Sequence, residues 1–368
     1  MFACRANVAR NGVILLVTAL LMAACGVDGG DSNAVDSNVL DSDQYLDRVH
    51  GSWLAAMVAN HSGLPIEGIW IDEPGPGDEI ELILLDEWST DDDTHIEWLD
   101  LHILETHGLN PSYEQVRDEW VEHLEGDIWV STRVARDLMD EGVVPPETSD
   151  PALNPDGVWS IDAQLQTELF GLLAPGRPDV AREQAEFFAL VSNRGPAVDA
   201  SAFYAHVISE AFFDDDIESL LVSARASEPD DSIVAPIFDD VFEWYQDNPE
   251  DWRATRELIR AEYDVDPEFW GSRVNYASTI MALLYGDGDL RGTLDIAGLS
   301  GWDNDNNMTT AANILGVIIG FEALPEPFAS ATDVYFNQDL VGGLPEFDSV
   351  ENIAVRTVAL GEQLVADR

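Results

Sequence analysis

The sequence contains no lysine: its 17 basic residues are all arginines, set against 71 acidic residues for a formal net charge of −54. Without an ε-amino group there is no P-loop lysine, no Schiff base and no Ser-Lys dyad. A surface this negative repels phosphate backbones, so nucleic acid is excluded as a partner. The acidic residues are dispersed along the chain, which reads as a solvated surface suited to saline surroundings.

Cysteine is nearly absent, with Cys4 and Cys25 alone. Long apolar runs are missing too. Val13–Ala24, VILLVTALLMAA, is too short for an ordinary membrane-spanning helix. With Arg5 and Arg10 before it and Leu21-Met22-Ala23-Ala24-Cys25 at its end, it reads as the apolar region of an export signal, residues 1–24, with a bacterial lipoprotein cleavage box. The expectation is lipidation at Cys25 and anchoring to the cell envelope, at the outer membrane or cell surface; the alternative is a plain signal peptide cut nearby. Cys4 leaves with the signal, so the mature chain has no partner for an intramolecular disulfide. Residues 25–43, rich in Gly, Ser and Asp with no apolar period, read as a flexible acidic tether.

Histidine offers little. His95, His102 and His107 are spaced by seven and five residues, which does not place all three on one helical face. Nothing resembles HExxH or a GxSxG elbow. These histidines read as structural or exposed.

What is present is a succession of helical patterns. Tyr45, Val49, Trp53, Leu54 and Met57 recur at helical spacing, and Gly51, Ala55 and Ala59 on the same helix allow close backbone approach. Gly63-Leu64-Pro65 turns the chain and presents Glu67, whose plain alternative is a surface loop carboxylate. The run IELILLDEW is a short strand or a helix. Ser112 and Gln115 form a capping box for SYEQVRDEWVEHLEG. Further helices follow in WVSTRVARDLMDEG, SIDAQLQTELFGLLA, PDVAREQAEFFALVS, ASAFYAHVISEAFF, SIVAPIFDDVFEWYQDN, WRATRELIRAEY, PEFWGSRVNYASTIMALLYG and DLRGTLDIAGLS. No solenoid period appears. Residues 44–368 are predicted to form one compact, all-α domain of ten or more helices that is not a regular bundle.

Two acidic clusters stand out against this background. Gly301-Trp302-Asp303-Asn304-Asp305-Asn306-Asn307 precedes MTTAANILGVIIGF, a helix apolar on nearly every face and therefore buried. Buried carboxylates are costly without compensation, and hard oxygen ligands at alternate positions suit magnesium or calcium. An EF-hand is excluded, because its sixth position would be Met308 and its twelfth Ile314. Asp91-Asp92-Asp93-Thr94 opens the helix HIEWLDLHILETHG. These three carboxylates either cap that helix or raise one another's pKa until a cation intervenes.

The pair of clusters resembles the two metal motifs of the ADP-ribosylglycohydrolase family, which includes the dinitrogenase-reductase-activating glycohydrolases. DRVHGSWLAAMVANHSGLPIEG, LFGLLAPGRPDVAREQAEFFALVSNRG and VNYASTIMALLYGDGDLRGTLDIAGLSGWDNDNN resemble further family blocks in the same order. The likeness runs from about Asp47 to Pro327. The resemblance implies an all-α ADP-ribosylglycohydrolase-like fold and a hydrolase that cleaves an ADP-ribosyl or related N- or O-ribosyl linkage. It implies two Mg2+ ions, with Mn2+ as a substitute, held by Asp91, Asp92, Asp93, Asp303, Asp305 and Asn306. Glu67, Asp92 and Asp303 fall at catalytic positions, and Asn60, Gly301 and Trp302 at substrate-binding ones. The implied partners are an ADP-ribosylated protein or a small ADP-ribosyl compound, besides the membrane reached through the lipid. Two positions depart from the family pattern. Asn306 stands where many members have Thr, and Ser192-Asn193 where many have Ser-His; an amide has no proton chemistry to replace an imidazole. The alternatives are a surface ADP-ribose-binding lipoprotein with weakened turnover and a hydrolase for another glycoside.

Overall fold

The computed structural model describes residues 40–126 and 128–366. The expected signal, Cys25 and nearly all of the expected tether lie outside them. Among the described residues are fourteen α-helices: α1 (Ser42–Gly63), α2 (Asp92–His107), α3 (Tyr113–His123), α4 (Val130–Asp140), α5 (Thr167–Leu173), α6 (Pro178–Ala189) and α7 (Pro196–Ala211). The chain continues through α8 (Ile217–Ala226), α9 (Val234–Asp247), α10 (Trp252–Tyr263), α11 (Ser272–Gly286), α12 (Leu290–Ser300), α13 (Asn304–Ile319) and α14 (Val350–Ala366). Strand content is small. β1 (Trp88–Ser89) pairs in parallel with β2 (Val334–Phe336), which pairs antiparallel with β3 (Phe347–Ser349). The architecture is a compact, mostly helical domain, as the sequence predicts. No described helix is long and apolar enough to cross a membrane.

The crossing of α1 and α13 is the most extensive helix pair and sets the site. α1 starts at Ser42, where the Asp41 carboxylate accepts a hydrogen bond from the Gln44 N–H at 2.9 Å. The two helices touch backbone to backbone. A Cβ added at Gly316 would lie 2.6 Å from the Gly51 carbonyl, and one at Gly51 would lie 2.6 Å from the Phe321 nitrogen. At the C-terminal end of α1, Gly63 packs directly on the Asp305 backbone. As its sequence predicts, α13 is sheathed on all sides, with every residue from Asn304 to Val317 buried.

IELILLDEW forms neither of the expected elements beyond Trp88, the first residue of β1. Its backbone is satisfied by side chains instead: the Ile80 N–H donates to Asp295 Oδ1 at 2.9 Å and the Ile83 N–H to Ser62 Oγ at 2.8 Å. α3 has its capping box as predicted. α8 and α14 are additional to the helices read from the sequence.

Candidate active site

Three helix termini converge on one cavity. After α1 ends at Gly63, a single 3-10 turn, Leu64–Ile66, delivers Glu67. Asp91 caps α2 reciprocally with Thr94, placing Asp92 and Asp93 in the first turn. Asp303 precedes α13, and Asp305 and Asn306 lie in its first turn. The partial positive charge at both helix starts favours carboxylates there. The cavity, about 500 Å³, is lined by Glu67, Asp91, Asp92, Asp93, Asp303 and Asp305, together with Leu64, Trp129, Val130, Ile161, Asp162, Leu165 and Trp270. Two triads within it each bring ligand oxygens within 4.8 Å of one another: Glu67 with Asp303 and Asp305, and Asp91 with Asp92 and Asp93.

Among the described residues, this concentration of negative charge has no arginine ion partner. Every arginine ion pair found there lies elsewhere. Burial, followed by repulsion from neighbouring carboxylates, holds Asp92, Asp93, Asp303 and Asp305 well above the usual carboxylate range. Glu67 is raised by burial first and by Asp91 second. After burial, the charge of Asp303 is the largest cause of the upward shift of Asp305.

The donor set passes a simple test for a hard divalent cation. It consists of oxygens alone, and the buried Asp305 Oδ1 and Asp162 Oδ2 have no hydrogen-bond partner in the protein. Asn306 is oriented differently from a simple ligand. Its Nδ2 donates to Asp93 Oδ1 at 3.0 Å, which ties the two clusters together and leaves only its carbonyl oxygen for a cation.

The expected substrate-binding residues stand behind the cavity wall and do not line it. Asn60 is fully buried and donates to Asp91 Oδ2 at 2.8 Å and to Asp93 Oδ2 at 3.0 Å, holding two carboxylates in place. Trp302 is also fully buried, beneath the Arg256 guanidinium at 4.3 Å. Gly301 and Trp302 have φ of +93° and +65°, and this left-handed turn aims Asp303 into the site. A Cβ on Gly301 would collide with the Trp70 carbonyl. The Trp302 carbonyl accepts from the Gly68 N–H at 2.9 Å, and the Asp303 N–H donates to Asn275 Oδ1 at 3.0 Å.

Asn193 is absent from the cavity lining. Its Oδ1 accepts from Ser131 and Ser192 at 3.0 and 2.8 Å, and its Nδ2 donates to the Ser160 carbonyl at 2.9 Å. It is a buried cross-link between segments, saturated in both directions.

Four lining residues carried no signal in the sequence. Asp162 arrives on a 3-10 turn, buried, with Oδ1 accepting from the Thr132 N–H at 3.1 Å and its pKa raised by burial. Trp129 is 60% exposed at the rim, and Trp270 offers a second indole. Val130 has φ of +34°, a strained conformation for a β-branched residue. All four fall near the starts of runs read as helices from the sequence, where apolar spacing does not tell which side chain meets a distant cavity.

A mostly helical domain with facing carboxylate clusters at the starts of buried helices defines a class, an acid-lined α-helical domain, and the comparisons name its family. The family model for ADP-ribosylglycohydrolase matches residues 41–363, and the chain belongs to that family. Membership supports a glycohydrolase-type hydrolase function. Among solved structures, one titled "ADP-ribosylglycohydrolase-related protein complex" shares the fold with a TM-score of 0.59 at 18% identity, over 87% of this chain and 99% of that one. A search of curated proteins finds no match.

Proposed function

We propose that this protein hydrolyses an ADP-ribosyl or related N- or O-ribosyl linkage with the help of two magnesium-like ions. The observation that carries the reading is the convergence of Glu67, Asp91–Asp93, Asp303 and Asp305 on one cavity with no arginine paired to them. The two triads are the natural holders of the ions, which would supply charge neutralisation and a polarised water. The remaining work belongs to the chain. Ionisation of the anomeric bond builds positive charge on the ribose, and the fixed carboxylates are already in place to stabilise it. Glu67 borders the cavity with its pKa raised by burial, so it can both hold and release a proton there. Asn60 and Asn306 keep Asp93 from turning away. Trp129 and Trp270 give the rim flat faces on which a base or sugar can stack.

The lining favours a second reading on one point. It contains no basic side chain to receive a diphosphate, so a ribosyl glycoside without phosphate fits the cavity, whereas an ADP-ribosyl group must keep its diphosphate at the mouth. Incubation with ADP-ribosylated arginine, ADP-ribosylated serine and O-acetyl-ADP-ribose, with magnesium or chelator, tests both readings. Magnesium-dependent product, absent in Asp92→Ala and Asp303→Ala, is the expected result. Tight binding of ADP-ribose without product under any metal identifies a binding protein instead. Export and lipidation at Cys25 belong to the same proposal, with a tether holding the enzyme at the envelope. A palmitate analogue should label the wild type and not Cys25→Ala, and equal labelling of both removes the lipid from the picture.

A further inference from the structure

His102 and His107, two of the histidines that spacing did not unite, are gathered with His123 around one carboxylate, away from the acidic cavity. His102 and His107 come from α2, and Glu119 and His123 lie one turn apart on α3. Glu119 Oε1 lies 2.7 Å from His107 Nε2, while Oε2 lies 3.4 Å from His102 Nε2 and 3.0 Å from His123 Nε2. The Glu119 side chain is only 12% exposed and that of His123 only 7%.

The hydrogen bonds behind the rings fix what each one offers. The Ser112 N–H donates to Gln115 Oε1 at 2.7 Å, so the Gln115 amide nitrogen faces His107 Nδ1 at 3.1 Å and donates to it. His107 Nδ1 is therefore an acceptor, and its Nε2–H donates to Glu119 Oε1, orienting the carboxylate. His123 Nδ1 lies 3.0 Å from the Val341 carbonyl, which can only accept, so Nδ1 carries the proton and the neutral ring has a lone pair on Nε2. That lone pair points at Glu119 Oε2, itself an acceptor. His102 Nε2 lies beside the same oxygen, and in its Nδ1–H tautomer this ring presents a second lone pair there. Two imidazole nitrogens and a carboxylate oxygen thus face one another within 4.8 Å, and a single proton cannot bind all three at once. A cation between them can.

We propose that His102, Glu119 and His123 form a second metal site, separate from the acidic cavity, that takes a transition-metal dication of the zinc class. Mixed nitrogen and oxygen donors suit zinc, whereas the all-oxygen cavity suits magnesium. Two ligands about 2.0–2.1 Å from one tetrahedral zinc lie roughly 3.3–3.4 Å apart, close to the separations found here. The outer partners follow the pattern of ligating groups elsewhere: an imidazole N–H on a backbone carbonyl, and a carboxylate held by a further donor. The His123 ring is also clamped. The Val341 N–H donates to the His123 carbonyl at 2.9 Å, Leu124 and Leu340 form a β-bridge, and Gly342 lies so close to the ring that a Cβ there would collide with it. Bound metal would join α2, α3 and the chain around Val341 at the end of α2 opposite Asp92 and Asp93.

The test is zinc content per chain after dialysis against zinc in excess magnesium, with cobalt absorption as a spectroscopic check. Wild type should retain one equivalent that His102→Ala and Glu119→Gln lose, and its cobalt form should show the intense visible bands of a tetrahedral centre. His102 is partly exposed, so its variant should keep wild-type helical circular dichroism. Asp303→Ala, altered only in the acidic cavity, should keep the zinc. Equal zinc in wild type and in both His102→Ala and Glu119→Gln overturns the proposal. So does zinc lost from Asp303→Ala and kept in His102→Ala, and so does a wild type that retains none.

Discussion

A raised carboxyl pKa is a statement about stability, and its sign here is opposite to that of a salt-bridged acid. With chelator present, Asp92, Asp93, Asp303 and Asp305 hold protons in the folded chain at pH values where the unfolded chain has released them. Their contribution is complete below the unfolded value, near about pH 4, and is lost as pH rises through the higher folded values. Melting temperature in chelator should therefore fall as pH rises above about 4. Saturating magnesium should reverse the trend, since binding needs the ionised form. The double variant Asp303→Asn, Asp305→Asn should flatten the chelator slope and remove the magnesium response. A wild-type melt indifferent to both additions argues against the ions. Asn193 allows a separate check. Because it is saturated with hydrogen bonds, Asn193→Ala should cost about 1–3 kcal/mol in urea unfolding, and Asn193→His should lose stability without gaining rate. A faster Asn193→His enzyme would restore a catalytic role to the position. At this scale the acidic clusters were legible because unpaired carboxylates at helix starts are conspicuous. Asp162 and the trio around Glu119 were not, since they meet only through tertiary folding.

Among the elements, the α1–α13 crossing is where backbone geometry and chemistry meet. Gly316→Ala forces a methyl to within 2.6 Å of the Gly51 carbonyl, so the helices must separate. Overpacking of this kind typically costs about 1–3 kcal/mol, and the same crossing seats Gly63 on the Asp305 backbone. Lower stability should come with weaker magnesium-dependent stabilisation, read from melts across a magnesium titration. Loss of stability with an unchanged magnesium midpoint would uncouple the crossing from the site. Most helices could be read in advance from apolar spacing, and the α3 boundary from its Ser112–Gln115 capping box. α8 was missed although Ile217, Leu220, Leu221 and Ala224 keep helical spacing after an Asp216 cap, because it is short and flanked by acidic runs. α14 is rich in β-branched residues, a composition that favours strand. IELILLDEW has an apolar run without the strand partners that would use it, so side chains of Asp295 and Ser62 decided its course.

For the molecule as a whole, a net charge of −54 must be carried with few cations to offset it. Arginines such as Arg356, which binds Glu105 and Asp348, and Arg225, which forks onto Asp239, neutralise only a fraction. Raising salt from about 0.1 M to about 1 M shortens the screening length from about 10 Å to about 3 Å, so mutual repulsion weakens. Melting temperature should climb over that range in sodium chloride as well as in sulfate; a rise in sulfate alone would point to general exclusion effects rather than screening.

Arg256 also has a mechanical consequence. Its guanidinium donates to the carbonyls of Ser300, Trp70 and Ile71 while lying against Trp302, so the segment carrying Glu67 is riveted to the one carrying Asp303. Those two acids form a single jaw. The other jaw is the start of α2, joined to the first through the amides of Asn60 and Asn306. The width of the gap between the jaws is therefore set by those amides. A group entering the cavity then meets a calliper set to one width, its two faces held at a fixed spacing.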